Sequence, residues 1–210
     1  PRQERLHTYK ELFYLHPSVF TPDKQVLRDC GFNPDEPYIL VRFVAWNASH
    51  DIGKHGLDDE GKIRLVQRLE RFGRVYVSAE GDVPEALRSR LLKTPYELIH
   101  HVLAFAQLVF SEGATMASEA AVLGTHALYV NTIVSGSTME QSERFHLMDC
   151  FNEGEDRYER AAAQAEELLA MPDLKALGLE KQKKLLSEKV DINGYYMAEM
   201  DRLVRAGRKG

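Results

Sequence analysis

Short apolar runs alternate along the chain with longer segments in which apolar residues recur every three or four positions. The apolar runs predict buried strands, at residues 38–43, 75–77, 108–110 and 127–130. The periodic segments predict helices, at residues 58–72, 96–106, 115–123, 156–169, 174–189 and 192–206. Strands that alternate with helices indicate βαβ units. The predicted fold class is therefore α/β, a Rossmann-like parallel sheet with helices on both faces.

The pattern divides the chain into three parts. Prolines interrupt residues 1–36, which we predict to be an irregular lead-in. Residues 37–190 contain the predicted strands and most of the helices, and they form the Rossmann-like domain. Residues 191–210 form a C-terminal helix and tail. With 210 residues and 44% apolar content, the chain can bury one sizeable core, whereas two full domains would be tight.

The composition narrows the classes of function. A formal net charge of −5 argues against nucleic acid as a partner, because binding it requires a basic surface. Cys30 and Cys150 do not make a disulfide framework, and we predict two free thiols in a reducing cytoplasm. The chain has no apolar run of membrane-spanning length and no signal-peptide pattern. We therefore expect a cytoplasmic location.

Ligands of open parallel sheets bind outside the carboxyl ends of the strands, so the loops that follow the predicted strands are the places to inspect. The loop after residues 108–110 contains Gly113, which permits a sharp turn and a close approach by a ligand. Thr115 is a good N-cap, and the first amides of its helix would then be free to bind a diphosphate. Glu119 on the same helix is placed to bind two ribose hydroxyls. Alternatively, Glu119 only complements the helix dipole.

The loop after residues 38–43 is rich in side chains that can form hydrogen bonds. They are Trp46, Asn47, Ser49, His50 and Asp51. His50 beside Asp51 is a candidate general base or a phosphate-pairing imidazolium. The alternative is a self-capped surface loop, in which Asn, Ser and Asp side chains bond their own backbone.

Two further candidates have ordinary structural explanations. Glu80 and Gly81, after residues 75–77, either line the crevice or form a tight turn. His100 and His101 are adjacent on a predicted helix, where neighbouring side chains point ~100° apart and cannot share a metal. His100 either faces the crevice or is structural, and we favour the structural role. No other cluster has metal-ligand spacing, so we predict no tightly bound metal.

One short string resembles a known motif. GATMASEAAVLG, from Gly113 to Gly124, is similar to the nucleotide-sugar motif of glycosyltransferase-B enzymes. It resembles the segment found in the peptidoglycan glycosyltransferase that attaches N-acetylglucosamine to lipid-linked muramyl peptide, and that of non-hydrolysing UDP-N-acetylglucosamine 2-epimerases. The resemblance implies that Glu119 takes the ribose hydroxyls. It also implies a diphosphate at the turn formed by Gly113, Ala114, Thr115 and Met116.

A closer resemblance covers nearly the whole chain. The strings YLHPSVFTPD, RFVAWNASHDIG and EGATMASEAAVLGT resemble the C-terminal part of a largely archaeal family of uncharacterised proteins labelled predicted glycosyltransferases. This implies a glycosyltransferase-B C-terminal domain that lacks its N-terminal, acceptor-binding half. It also implies that the lead-in, residues 1–36, includes the junction between the halves.

If the chain is such a transferase half, roles follow for individual residues. His50 becomes the candidate catalytic residue, assisting at the leaving diphosphate or the sugar. Residues 94–96 are expected to form the pocket for the base, with Tyr96 at its end. The other residues expected to bind the nucleotide-sugar in this part of the chain are Asn47, Ser49 and Asp51.

Two positions depart from the related motifs. Glu112 stands where the transferase and epimerase motifs often have a small or different polar residue. A carboxylate aimed at a diphosphate would oppose its binding, so Glu112 must point away from it or pair with a cation. His126 stands where relatives commonly have proline, and we expect this to be a change in a loop beyond the site.

Three hypotheses for function follow. The first is the nucleotide-sugar-binding half of a glycosyltransferase. Its substrate would be a UDP-sugar, and it would need no cofactor. As an isolated half it would be inactive. The second is a sugar-nucleotide 2-epimerase-like enzyme on the same scaffold. The third is a non-catalytic nucleotide-binding module. An isolated half would expose apolar patches that favour a homodimer.

Overall fold

A parallel five-stranded sheet forms the centre of the part of the chain that the computed structural model describes, residues 5–46 and 56–207. The strand order across the sheet is β2-β1-β3-β4-β5, and all neighbouring strands run parallel. The strands are β1 (Tyr38–Phe43), β2 (Arg74–Ala79), β3 (Leu108–Ser111), β4 (Ala127–Val130) and β5 (Met148–Phe151).

Helices precede, connect and follow the strands. The α-helices are α1 (Leu12–Leu15), α2 (Lys24–Asp29), α3 (Asp59–Leu69), α4 (Ile99–Phe105), α5 (Ala114–Val122), α6 (Gly136–Glu143), α7 (Arg157–Leu169), α8 (Leu174–Glu188) and α9 (Ile192–Gly207). Two 3₁₀ helices cover Glu85–Arg90 and Tyr96–Leu98. In the described residues, no helix is both long enough and apolar enough to cross a membrane.

The sheet separates two hydrophobic cores. Successive side chains of a strand point to opposite faces, so Leu40 packs with α1, α4, α5 and α8 on one face. Ile39 and Val41 pack with α3 and α7 on the other face. Burial of each such side chain stabilises the fold by about 1.5–3 kcal/mol relative to exposure. The predicted α/β class, with helices on both faces of a parallel sheet, is confirmed.

The edge of the sheet and the lead-in both differ from the sequence-based expectations. β5 was not predicted, because Asp149 interrupts its short apolar run and the edge strand is only partly buried. Residues 1–36 were expected to be irregular, yet they contain α1 and α2. These helices bury Leu12, Leu15 and Leu27 in the core. At four and six residues, these helices are too short to show a clear helical period in the sequence.

The order of the strands fixes the position of one crevice at the edge of the sheet. The chain leaves β1 towards β2 on one side and later returns to place β3 on the other side of β1. The loops after β1 and β3 therefore diverge and leave a crevice at the carboxyl ends of these strands. Both loops singled out from the sequence begin at this crevice.

Close packing of α8 on the turn between α5 and β4 gives a test of the fold. A Cβ added at Gly178 would lie 2.3 Å from the carbonyl oxygen of Gly124. We expect Gly178→Ala to lower the free energy of unfolding by about 1–3 kcal/mol, because α8 must move away. Gly136→Ala is the control, since its Cβ would meet no atom within 4 Å. Equal urea unfolding midpoints for the two variants would contradict this packing.

Candidate functional site

A pocket of about 610 Å³ lies at the carboxyl ends of β1 and β3, and we call it the switch-point crevice. Its walls come from the loops after β1, β2, β3 and β4 and from the first two turns of α5. The lining residues are Arg42, Val44, Trp46, Glu80, Glu112, Gly113, Ala114, Thr115, Met116, Glu119, Tyr129, Asn131 and Ile133.

The turn from β3 into α5 is held by one serine. The Ser111 hydroxyl accepts a hydrogen bond from the Gly113 amide at 3.0 Å and donates one to the Gly113 carbonyl at 2.8 Å. Gly113 is the N-cap of α5, and Thr115 is the second residue of the helix. The prediction that Thr115 caps the helix is therefore wrong, because the chain becomes helical two residues earlier.

The backbone at Gly113 does not itself require glycine. Its φ of −98° is open to any residue, and an added Cβ would make ordinary contact with Val44 at 3.4 Å. The sharp turn expected from this glycine is thus made by the Ser111 hydrogen bonds. Gly113 still contributes by having no side chain, which leaves the N-terminus of α5 open to the crevice.

The first amides of α5 face the crevice. The first backbone hydrogen bond of the helix runs from the Ala117 amide to the Gly113 carbonyl at 3.2 Å. Within the described chain, the amides of Ala114, Thr115 and Met116 have no acceptor. Thr115 is exposed and its two neighbours are partly exposed. Open amides at a helix N-terminus, together with the helix dipole, form an anion-binding site.

Glu119 lies on the same helix and lines the same crevice. It is the sixth residue of α5, beyond the first turn in which the dipole acts most strongly on a charge. Its Oε1 accepts a hydrogen bond from the Tyr14 hydroxyl at 2.8 Å and lies 3.2 Å from His100 Nε2. Both contacts recorded among the described residues use Oε1. Oε2 therefore has no hydrogen-bond or ion-pair partner among them.

The partners of Glu119 come from distant parts of the chain. Tyr14 belongs to α1, and burial together with its bond to Glu119 raises the pKa of this tyrosine. His100 belongs to α4, and its ring packs against Tyr14 with 5.4 Å between centroids. His100 therefore contacts both Tyr14 and Glu119, the candidate ribose-binding carboxylate.

Glu112 is fully buried and joins three segments. Its Oε2 accepts hydrogen bonds from the Val44 amide at 2.9 Å and from Trp46 Nε1 at 3.1 Å. Its Oε1 accepts one from the Tyr158 hydroxyl at 2.6 Å. Burial raises the pKa of Glu112, although these bonds oppose the shift. Its carboxylate therefore engages neutral donors, so the expected pairing with a cation is not needed.

The Glu112 bonds shape the loop after β1. Trp46 has a φ of 50°, in the left-handed region that a bulky residue rarely adopts. Its indole is fixed by Glu112, and Asn131 Nδ2 donates to the Glu112 carbonyl at 2.8 Å. A strained residue persists when its surroundings determine its conformation, and such residues cluster at binding sites.

Arg42 is a crevice residue that the sequence analysis did not select. It is the fifth residue of β1 and its side chain is mostly buried. Its guanidinium donates to Ser78 Oγ at 2.8 Å and to Glu80, whose other oxygen accepts from the Ala45 amide at 3.3 Å. The sequence held one signal for this residue, because Arg42 interrupts an otherwise apolar strand. Glu80 lines the crevice, which is one of the two alternatives given for it from the sequence.

Several predicted residues lie elsewhere or are not described. Tyr96 is 81% exposed and lines a separate cavity of about 230 Å³ at the end of β2, together with Thr94 and Ser78. Asn47, Ser49, His50 and Asp51 lie outside the residues that the structure describes. Their roles stay predictions.

Two other expectations concern positions away from the crevice. His126 directly precedes β4, at the amino end of the sheet, and its Nε2 lies 3.0 Å from Asp149 Oδ2. It is remote from the switch-point crevice, as expected. Across residues 5–46 and 56–207, no three His, Cys, Asp or Glu side chains form a group that could hold a metal ion.

No protein-family model matches the chain, and no curated protein matches it. Solved glycosyltransferases share its fold. The spinosyn forosaminyltransferase SpnP has a TM-score of 0.55 at 14% identity, covering 89% of this chain and 49% of that one. The glycotransferase of kitacinnamycin has 0.52 at 13%, covering 79% and 43%. CalG4, the calicheamicin glycosyltransferase, has 0.50 at 20%, covering 80% and 42%.

At these identities the similarity establishes the fold alone. The sheet and its surrounding helices match the Rossmann-like C-terminal domain of glycosyltransferase-B enzymes. This chain spans less than half the length of the three proteins compared.

The Glu112 network can be tested by substitution. Glu112→Leu leaves the Val44, Trp46 and Tyr158 donors without an acceptor, so we expect a loss of about 3 kcal/mol in unfolding free energy. Glu112→Gln keeps one acceptor oxygen, and the Tyr158 hydroxyl can accept from the new amide. We expect it to lose about 1 kcal/mol. Urea unfolding measures both values, and a leucine variant as stable as the wild type would refute the network.

Proposed function

We propose that this chain is the nucleotide-sugar-binding half of a glycosyltransferase. The observation that carries the proposal is the arrangement of α5 at the switch-point crevice. Three amides without acceptors open the helix, and Glu119 reaches the same crevice one turn later.

The diphosphate of a UDP-sugar would bind at the start of α5. The amides of Ala114, Thr115 and Met116 can each donate to a phosphate oxygen, and the positive end of the helix dipole favours the charge. Such an arrangement stabilises charge through fixed dipoles, without requiring a basic surface. It therefore fits a chain whose formal net charge is −5.

The ribose would bind beside Glu119. Four residues of helix separate Thr115 from Glu119, a rise of ~6 Å along the axis. Oε1 is held by Tyr14 and His100, which orients the carboxylate and leaves Oε2 for the ribose hydroxyls. Hydrogen bonds to a charged acceptor are stronger than neutral ones.

Arg42 would neutralise part of the diphosphate charge. Its guanidinium lines the crevice and is fixed by Ser78 and Glu80. As the bond from the sugar to the diphosphate breaks, negative charge grows on the leaving phosphate. A preoriented arginine and a helix N-terminus both stabilise that charge. His50 remains the proposed assisting residue at the leaving diphosphate or the sugar.

The other proposed contacts involve the base and the acceptor. The cavity of about 230 Å³ lined by Tyr96 and Ser78 adjoins the crevice through the hydrogen bond of Ser78 to Arg42, and the base would bind there. The acceptor would bind on a further N-terminal domain. The chain spans less than half the length of the glycosyltransferases that share its fold. The isolated half would then be inactive and free to form a homodimer.

The ribose contact gives the sharpest test of the proposal. We expect Glu119→Gln to weaken UDP binding about 10- to 100-fold, because a charge-assisted hydrogen bond becomes a neutral one. The same variant should bind 2′,3′-dideoxy-UDP as the wild type does, because this nucleotide lacks the hydroxyls. Isothermal titration calorimetry measures all four affinities.

Glu167→Gln is the matched control, since this exposed glutamate lies on α7 and lines neither the crevice nor the base cavity. It should bind UDP unchanged. If the wild type binds no UDP, the proposed function is wrong. If Glu119→Gln affects both nucleotides equally, the assignment of Glu119 to the ribose is wrong.

A further inference from the structure

A second pocket, of about 380 Å³, lies between the lead-in, α4 and α8, and we call it the lead-in pocket. Its lining is mainly apolar and shares no residue with the switch-point crevice. The lining residues are Leu15, Pro17, Phe20, Thr21, Pro22, Ala104, Phe105, Leu123, Lys175, Leu179 and Gln182.

The lead-in pocket contains one cationic side chain, that of Lys175 on α8. Its Nζ donates a hydrogen bond to the Thr125 hydroxyl, which in turn donates to the Leu103 carbonyl at 2.7 Å. No carboxylate in the described parts of the chain lies within ion-pair distance of this nitrogen. The amide side chain that lines the pocket, that of Gln182, is already engaged, because its Nε2 donates to the Val122 carbonyl at 2.8 Å.

Burial lowers the pKa of Lys175 to about 7. Burial is the sole cause, so no described titratable group on the lead-in, α4, the turn after α5 or α8 compensates the charge. A desolvated amine without a counter-ion loses its proton more readily than an exposed lysine does. A ligand that brings a carboxylate would supply the missing counter-charge.

The rest of the pocket would accept a hydrocarbon chain. Phe20 and Phe105 contribute aromatic surface, and Leu15, Leu123 and Leu179 contribute aliphatic surface. A volume of about 380 Å³ lies within the range of small-ligand sites, which are mostly apolar with a few placed polar groups. The lead-in pocket has this composition.

We propose that the lead-in pocket binds an apolar monocarboxylate, with the carboxylate at Lys175 Nζ and the hydrocarbon chain against the aromatic and aliphatic walls. The site shares no lining residue with the switch-point crevice. Binding would favour the ammonium form of Lys175, so it should be coupled to uptake of a proton.

Octanoate is the probe for the test, measured by calorimetry on the whole chain. Each methylene added between hexanoate and octanoate should tighten binding about fourfold, because it buries more apolar surface. Affinity for octanoate should fall about tenfold from pH 6 to pH 8, since the free amine loses its proton between these values and the carboxylate stays charged.

Lys175→Met keeps the length and apolar stem of the side chain but removes the charge. It should weaken octanoate binding at least tenfold at pH 6 and abolish the pH dependence, while octanol should bind both proteins equally. Lys183→Met, at an exposed position of α8, should behave as the wild type. Absence of octanoate binding to the folded wild type would overturn the proposal, as would equal octanoate affinity in the Lys175→Met variant.

Discussion

The parallel pairing of β1 with β3 determines where the switch-point crevice lies. The two strands are central neighbours in the sheet, yet β1 continues to β2 on one side and β3 to β4 on the other. The backbone therefore diverges after Phe43 and after Ser111. The space between these loops can be closed only by side chains or by a ligand. In this chain a pocket of about 610 Å³ remains there.

The electrostatics of the crevice explain how an acidic chain can offer an anion site. Three glutamates line it, and each is engaged by donors of the protein itself. Glu112 binds the loop after β1 and Tyr158, Glu119 binds Tyr14, and Glu80 pairs with Arg42. The carboxylates fix the walls, while the amides of α5 are left without protein acceptors at the crevice.

The sequence predicted the elements that apolar patterning controls. Four strands and the loop of Gly113 followed from buried runs and the helix after them, and the string around Glu119 pointed to α5, which lines the switch-point crevice. The partners of that glutamate could not be predicted. Tyr14 is 105 residues away along the chain, on a helix of four residues that no periodicity reveals.

The other features that the sequence did not predict correctly have related physical causes. Arg42 looked like an interruption of a strand, because only the tertiary structure shows that its position faces the crevice. The N-cap was assigned to Thr115 because threonine caps helices well, but the Ser111 hydrogen bonds start α5 earlier. β5 was not predicted, because an edge strand is only partly buried and does not need a continuous apolar run.

The proposed function depends on open amides at the start of α5 that bind a diphosphate. Amide NMR spectra of the ¹⁵N-labelled chain, titrated with UDP and in parallel with uridine, report on these amides one by one. We expect large shifts of the Ala114, Thr115 and Met116 amides with UDP and small ones with uridine. UDP binding that leaves these three amides unchanged and shifts resonances elsewhere would contradict it.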